Sequence, residues 1–466
     1  MKKLLQGLAC VLALSVCAQA GVGGRQLPFG QVNAASKEAS PFVLPILKRD
    51  SLLNGLQLIV MEQKGTGVVS AHLRLNNGAM FDLAGKGGLA DITAGMLLKG
   101  GGGLSAKNIS DTVEQLGLSV SVTVGWDATD IVFSGPADTL DTIFDLLGRL
   151  IITPGFDQKE LDALKSQRVA ALKGEQGDDG ELVRRKALEA VFQTHPFGRP
   201  LRGTAESVAL ITRQDLSYYH SKFYTANNAG LIVSGDASAE QVTRLARSRL
   251  GSWKKGEKVP ASFRPPESHQ SRRILIIDRP GSASSLAAIA QPGLSRRAGD
   301  YFAAMVMSDL LNRMNSEAAA KDPATSFEVE NEPRWLDGPL IVKIKSAPGQ
   351  LGSAINAAIE AMSALQSNAP AIEQVEAAKS RLIASMADRL RTAESTASVI
   401  LEIETYGLGR DYLLNYAGRV NAITPQDVQR AAQNYLKPQA VAVAIAGPAG
   451  QIEEPLRKLG TVTVLR

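Results

Sequence analysis

Cysteine is almost absent from this chain of 466 residues, occurring twice, at Cys10 and Cys17. Both lie in an N-terminal stretch that reads as an export signal, so the mature chain is expected to have none. That excludes disulfides and thiolate metal sites as devices of the folded protein. Histidine is nearly as scarce. His72, His195, His220 and His269 are the four, and no two fall within five residues of each other. A zinc helix needs two imidazoles one turn apart, so that both reach one ion, and this spacing forbids it. There is no G-x-S-x-G elbow and no phosphate loop; the glycines at 100–103 lack a following Lys-Ser/Thr and read as a helix stop. Beyond the N-terminus no apolar run approaches the length of a membrane span. The formal charge of +5 comes from 51 basic and 46 acidic residues, interspersed along the chain. Without a Lys/Arg run, nothing here tracks a nucleic-acid backbone.

What the chain does contain is ordered. Lys2 and Lys3 precede an apolar run from Leu4 to Val16, and Ala18-Gln19-Ala20 then gives a small-x-small cleavage pattern. Residues 1–20 are therefore expected to be a signal peptide, which places the mature protein in a Gram-negative periplasm. Lipid anchoring at Cys17 is disfavoured because Val16 stands where a small residue is wanted. Residues 21–47, rich in Gly, Ala, Ser and Pro, read as an extended lead-in.

A repeating order of elements starts near Leu52. Strands are expected at 56–60 and 68–75, helices at 89–99 and 105–116, a hairpin at 118–124 and 129–134, and helices at 137–151 and 158–173. The second half replays this order. Strands fall at 273–278 and 285–291, a helix at 301–314, strands at 326–332 and 340–346, and helices at 349–364 and 372–391. Tyr224-Thr225-Ala226-Asn227-Asn228 before a strand at 230–234 parallels Tyr435-Leu436-Lys437-Pro438-Gln439 before one at 440–446. Between the halves, residues 253–272 carry Lys254, Lys255, Lys258, Pro260, Pro265 and Pro266, a composition that disfavours a packed core. The expected organisation is α+β: two homologous α/β-roll domains, 48–252 and 273–466, joined by a stiff linker at 253–272. Each holds a mixed, mostly antiparallel sheet with helices packed on one face.

Four stretches carry a family resemblance. Residues 85–100 (GKGGLADITAGMLLKG) are similar to the active-site helix of insulinase-like (pitrilysin) zinc metallopeptidases. Residues 194–204 (THPFGRPLRGT) resemble that family's HPYGRPxxGT loop. Ile211-Thr212-Arg213-Gln214-Asp215-Leu216, with Phe223 to Asn228 after it, resembles the family's ITxxDL…YYxPNNA stretch. Ile423-Thr424-Pro425-Gln426-Asp427-Val428 repeats that signal in the second half. Together, in order, they cover nearly the whole mature chain.

The resemblance gives the departures their meaning. Active members carry H-x-x-E-H, two zinc ligands and a general base. In this chain those positions are Asp91, Ala94 and Gly95. An acid in the first turn of a helix is also favoured by the helix dipole, which accounts for Asp91 without a metal. The family's third ligand, a glutamate some seventy-odd residues on, falls near 171–174, with Glu175 one small register change away. Bacterial members often work as two chains, one with zinc and one supplying an Arg and a Tyr from its second domain. Those positions are Ala319 and Ser326 or Phe327, so the helper pair is absent as well; Arg313 is the one nearby substitute. The resemblance thus implies a non-catalytic chain without cofactor, zinc being expected only in a partner. Its partners would be a zinc-bearing homologue and peptide substrates, in a heterodimer enclosing a peptide chamber, with the linker as a hinge. The alternative is a structural or peptide-binding protein of this fold with no protease partner.

Overall fold

The computed structural model describes residues 41–175, 177–257, 260, 263–265, 270–320 and 322–465. The expected signal peptide, most of the lead-in and His269 lie outside the described residues.

Among the described residues, two six-stranded sheets organise the fold. The first runs, edge to edge, Lys48–Ser51, Gln57–Glu62, Ala229–Gly235, Val68–Leu75, Thr129–Pro136, Ser119–Val124. The second runs Ser326–Asn331, Pro339–Ser346, Ser285–Pro292, Ala442–Gly447, Arg273–Asp278, Thr461–Leu465. Read from Ser119–Val124 and from Ser326–Asn331, the first five strands pair in the same sense. Three antiparallel contacts are followed by one parallel contact, Gln57–Glu62 with Ala229–Gly235 and Arg273–Asp278 with Ala442–Gly447. The expected mixed, mostly antiparallel sheets are present, and the replayed order in sequence is a replayed topology. Only the sixth strands differ: Lys48–Ser51 pairs antiparallel, Thr461–Leu465 parallel.

Strand alternation builds the layers. Val69, Ala71, Leu73 and Leu75 point into the first core, where helices Leu89–Leu97 and Leu140–Ile152 cover them. In the second half Val441, Val443 and Ile445 enter the second core under helices Tyr301–Ala319 and Pro348–Ser367. The opposite faces are covered as well, by helices that sequence periodicity does not single out. Helix Asp179–Phe192, from the first half, lays Val183, Ala187, Leu188 and Val191 on the second sheet, against Ala288, Ala290, Ala442, Ala444 and Ala446. Helix Ala393–Tyr406, from the second half, lays Ala397, Ile400 and Leu401 on the first sheet, against Ile59 and Ile232. Gly230 permits this approach, since a Cβ there would sit 3.3 Å from Leu401. Each half therefore lends a helix to the other's sheet.

The chain crosses between halves elsewhere too. Phe42, in the lead-in, is buried against Tyr416 with ring centroids 5.9 Å apart, although Lys48–Ser51 pairs in the first sheet. Trp253, at the start of the expected linker, is buried in the first core and donates its indole N–H to the Tyr224 carbonyl at 3.0 Å. Gly256 exchanges two 2.8 Å hydrogen bonds with Asn227. A hinge between the halves would have to strip both exchanged helices from their sheets.

Candidate functional site

Helix Leu89–Leu97 is the element that the sequence resemblance marks. Its N-terminal backbone donors need acceptors. Gly88 at the N-cap has no side chain, so Asp82 supplies them, accepting from Gly88 N at 2.7 Å and Ala90 N at 2.8 Å. The resembling loops serve this helix. Gly203 has φ +73°, and a Cβ on it would collide with the Gly87 carbonyl; Ser207 donates to that same carbonyl at 2.9 Å. Arg199 donates to the Asp82 carbonyl at 3.2 Å. Thr212 and Asp215 form a capping box on helix Arg213–Phe223, and Asp215 pairs with Lys86 at 3.0 Å. Thr424 and Asp427 form the same box on Pro425–Tyr435.

Burial pushes the Asp82 carboxyl up from 3.8 to about 7, against the two backbone hydrogen bonds that lower it. Between about pH 4 and 7 the folded state keeps a proton that the unfolded chain has released. The unfolded state then binds fewer protons, so this group's contribution to stability falls as pH rises through that window. Urea melts of the wild type and of Asp82→Asn at about pH 4.5 and pH 8 test this. The wild type's advantage is expected to shrink toward pH 8; an advantage that grows would contradict the assignment.

The three degenerate positions stand together on one buried helix. Asp91 is not idle. Arg168 on helix Gln158–Glu175 lies along its carboxylate, Nε 2.9 Å from Oδ2 and Nη2 3.5 Å from Oδ1. Ala94 is buried and offers no donor atom. Gly95 faces the same helix, where a Cβ would meet Leu164 Cδ2 at 3.1 Å. These residues do not fit zinc, which takes four converging donors. One carboxylate is present and a guanidinium already holds it. Among the described residues, no three of His, Cys, Asp and Glu gather where they could hold a metal ion. The side chain of Glu175 lies outside the described residues.

The described histidines have structural partners. His72 Nε2 meets Asp130 Oδ1 at 2.7 Å, and Arg74 grips the same carboxylate at 2.7 and 3.0 Å. His195 Nδ1 accepts from Phe197 N at 3.2 Å among Phe192, Phe197 and Phe263, and burial lowers its pKa to about 4. His220 Nε2 donates to the Ile151 carbonyl at 2.8 Å.

The second-half positions are equally plain. Ala319 ends helix Tyr301–Ala319, Phe327 is half-buried against the second core, and Ser326 is exposed. Arg313 is exposed and pairs with Glu317 one turn on, at 2.8 Å. Sequence reasoning missed Arg168, which lies 77 positions from Asp91. The only signal for it was a lone arginine on the helix where the family keeps an acidic ligand.

The fold and this helix define a peptidase-type scaffold, and comparison with known proteins agrees. Residues 58–205 match the family described as "Insulinase (Peptidase family M16)", and residues 210–382 match "Peptidase M16 inactive domain". The chain belongs to the peptidase M16 family. It is 24% identical over 207 residues to "Non-peptidase homolog YmxG" of Helicobacter pylori, covering 44% of this chain and 48% of that one. It spans about half the length of that relative and of a Rickettsia bellii "uncharacterized zinc protease". A Pseudomonas fluorescens structure titled as a peptidase M16 inactive domain superposes with a TM-score of 0.78 at 21% identity, over 86% of this chain and 98% of that one. The Escherichia coli periplasmic protease PqqL superposes at 0.71 and 18% identity, covering 88% of this chain and 48% of that one. Among the described residues, no helix is long and apolar enough to cross a membrane.

Proposed function

We propose that this protein is a non-catalytic subunit of a periplasmic M16 peptidase complex, forming a peptide chamber with a zinc-bearing homologue. The observation that carries this is the Asp91–Arg168 pair beside Ala94 and Gly95, which leaves neither a ligand set nor a general base on the motif helix. Zinc would then belong to the partner. This chain would contribute substrate enclosure and orientation, with peptides held by strand addition to an exposed sheet edge. The mature chain purified alone is expected to hold no stoichiometric zinc by elemental analysis and to cleave no peptide. One tightly bound zinc per chain would overturn the reading. Mixed with a zinc-bearing homologue from the same cell, it is expected to co-purify and to raise peptide cleavage.

A second reading, a peptide-binding or structural protein with no protease partner, draws on the second half. Ala319 and Phe327 supply no helper pair, and Arg313 is tied to Glu317. Association without any gain in proteolysis would favour it.

A further inference from the structure

A cavity of about 650 Å³ opens between helix Asp179–Phe192 and residues 200–206. That volume is ordinary for a small-molecule site. Both walls are pinned from behind. The far face of the helix lies on the second sheet through Val183, Ala187 and Leu188. The loop is fixed to the start of the motif helix, with Gly203 pressed on the Gly87 carbonyl and Ser207 donating to it. Neither wall is free to close the gap, so the space is held open.

The lining is partly apolar and partly charged. Leu172, Leu182, Pro200 and Leu201 are half-buried around it. Its carboxylates already have partners. Asp178 caps the helix, accepting from Gly180 N at 2.8 Å and Glu181 N at 3.3 Å. Glu189 pairs with Lys186 at 2.7 Å, and Glu181 lies 3.8 Å from Arg184. Glu206 accepts from its own backbone N–H and from the Thr204 hydroxyl, which hold its carboxyl below the usual range, and the charges of Lys173 and Arg185 act in the same sense. Arg184 is committed to Glu332 at 2.5 Å. Arg185 differs from these. It lines the cavity, half-buried, and makes no hydrogen bond or ion pair among the described residues. Leu182 stands three positions before it, on the same helix face.

We propose that this cavity binds a small amphipathic carboxylate, its head group held by Arg185 and its apolar chain lying against Leu182 and Leu201. An uncommitted guanidinium beside apolar side chains selects an anion with an apolar body. Two-point, charge-assisted hydrogen bonding gives that contact both strength and direction. Neither Asp91 nor Arg168 lines the cavity, and the inference is independent of the partner and the peptide role proposed above.

Isothermal titration of the mature chain with octanoate tests this, with octanamide and acetate as comparison ligands. Octanoate is expected to bind on the order of tenfold tighter than either. Arg185→Gln is expected to bring octanoate down to the octanamide level and to leave octanamide unchanged, while Arg185→Lys keeps part of the preference. Leu201→Ser is expected to weaken octanoate and octanamide alike by at least about threefold, which a purely ionic contact would not show. Arg313→Gln changes an exposed arginine elsewhere and is expected to alter nothing. Absence of octanoate binding overturns the proposal, as does equal affinity for octanoate and either comparison ligand. A preference that survives Arg185→Gln, or one lost equally in Arg313→Gln, overturns it too.

Discussion

Leu188→Asp is expected to unfold the second sheet although Leu188 belongs to the first half. Its side chain is 5% exposed and sits among alanines of strands Ser285–Pro292 and Ala442–Gly447. The substitution removes a buried aliphatic group and places a carboxylate among apolar side chains, at a combined cost of at least about 4 kcal/mol. That is a large part of the roughly 5–15 kcal/mol by which ordinary domains are stable. Ile400→Asp is the mirror experiment, on the helix lent to the first sheet. Hydrogen exchange reads the result. Leu188→Asp should strip protection from Ser285–Pro292 and Ala442–Gly447 first, and Ile400→Asp from Gln57–Glu62 and Ala229–Gly235. A control, Leu53→Asp, changes a fully exposed side chain and is expected to shift stability by no more than about 0.5 kcal/mol. If each variant loosened only its own half, the reciprocal exchange would not be what holds the halves together.

Asp127→Ala is expected to cost about 3–5 kcal/mol, because it breaks a buried charged network at the junction. Asp127 sits in the turn between Ser119–Val124 and Thr129–Pro136, and its Oδ2 accepts from Trp335 N and from the Tyr406 hydroxyl, both at 2.7 Å. Burial pushes its carboxyl up, and these two donors with the Arg334 charge pull it back. Arg334 is itself buried, pairs with Glu332, and lies over the rings of Trp126 at 4.7 Å and Phe197 at 4.5 Å. Arg184, on the exchanged helix, joins Glu332 at 2.5 Å. Removing the carboxylate leaves two donors unanswered and one buried cation short of its counter-charge. Tyr406→Phe is expected to cost less, about 1–3 kcal/mol, and the double variant less than the sum, since both changes remove one shared hydrogen bond. Additive costs in denaturant melts would show that the two groups act independently.

Much of this was legible in the sequence because it depends on near neighbours. The capping boxes at Thr212/Asp215 and Thr424/Asp427 lie within one turn and mark the helix starts. The alternation of Val and Ile with Ala in residues 441–446 announces a strand with two apolar faces, one of them small. The two exchanged helices were not legible. Helix Asp179–Phe192 carries its apolar residues toward a surface a hundred positions away, and nothing local names that surface. The ion pair of Asp91 with Arg168 is of the same kind. A first-turn acid is explained by the helix dipole alone, and its partner emerges only when Gln158–Glu175 is laid alongside.

The sequence by itself determined that the motif helix carries no imidazole, that two similar sets of strands and helices follow one another, and where most of those elements begin. These follow from side-chain chemistry and from periods of two and about 3.6 residues, which act over a few positions. Only the tertiary structure decided that a guanidinium occupies the place beside Asp91, and that each sheet is closed by the other half's helix. Those outcomes depend on which distant surfaces are complementary in shape and charge, here an alanine-lined sheet face that admits a helix closely and a lone carboxylate that needed a cation.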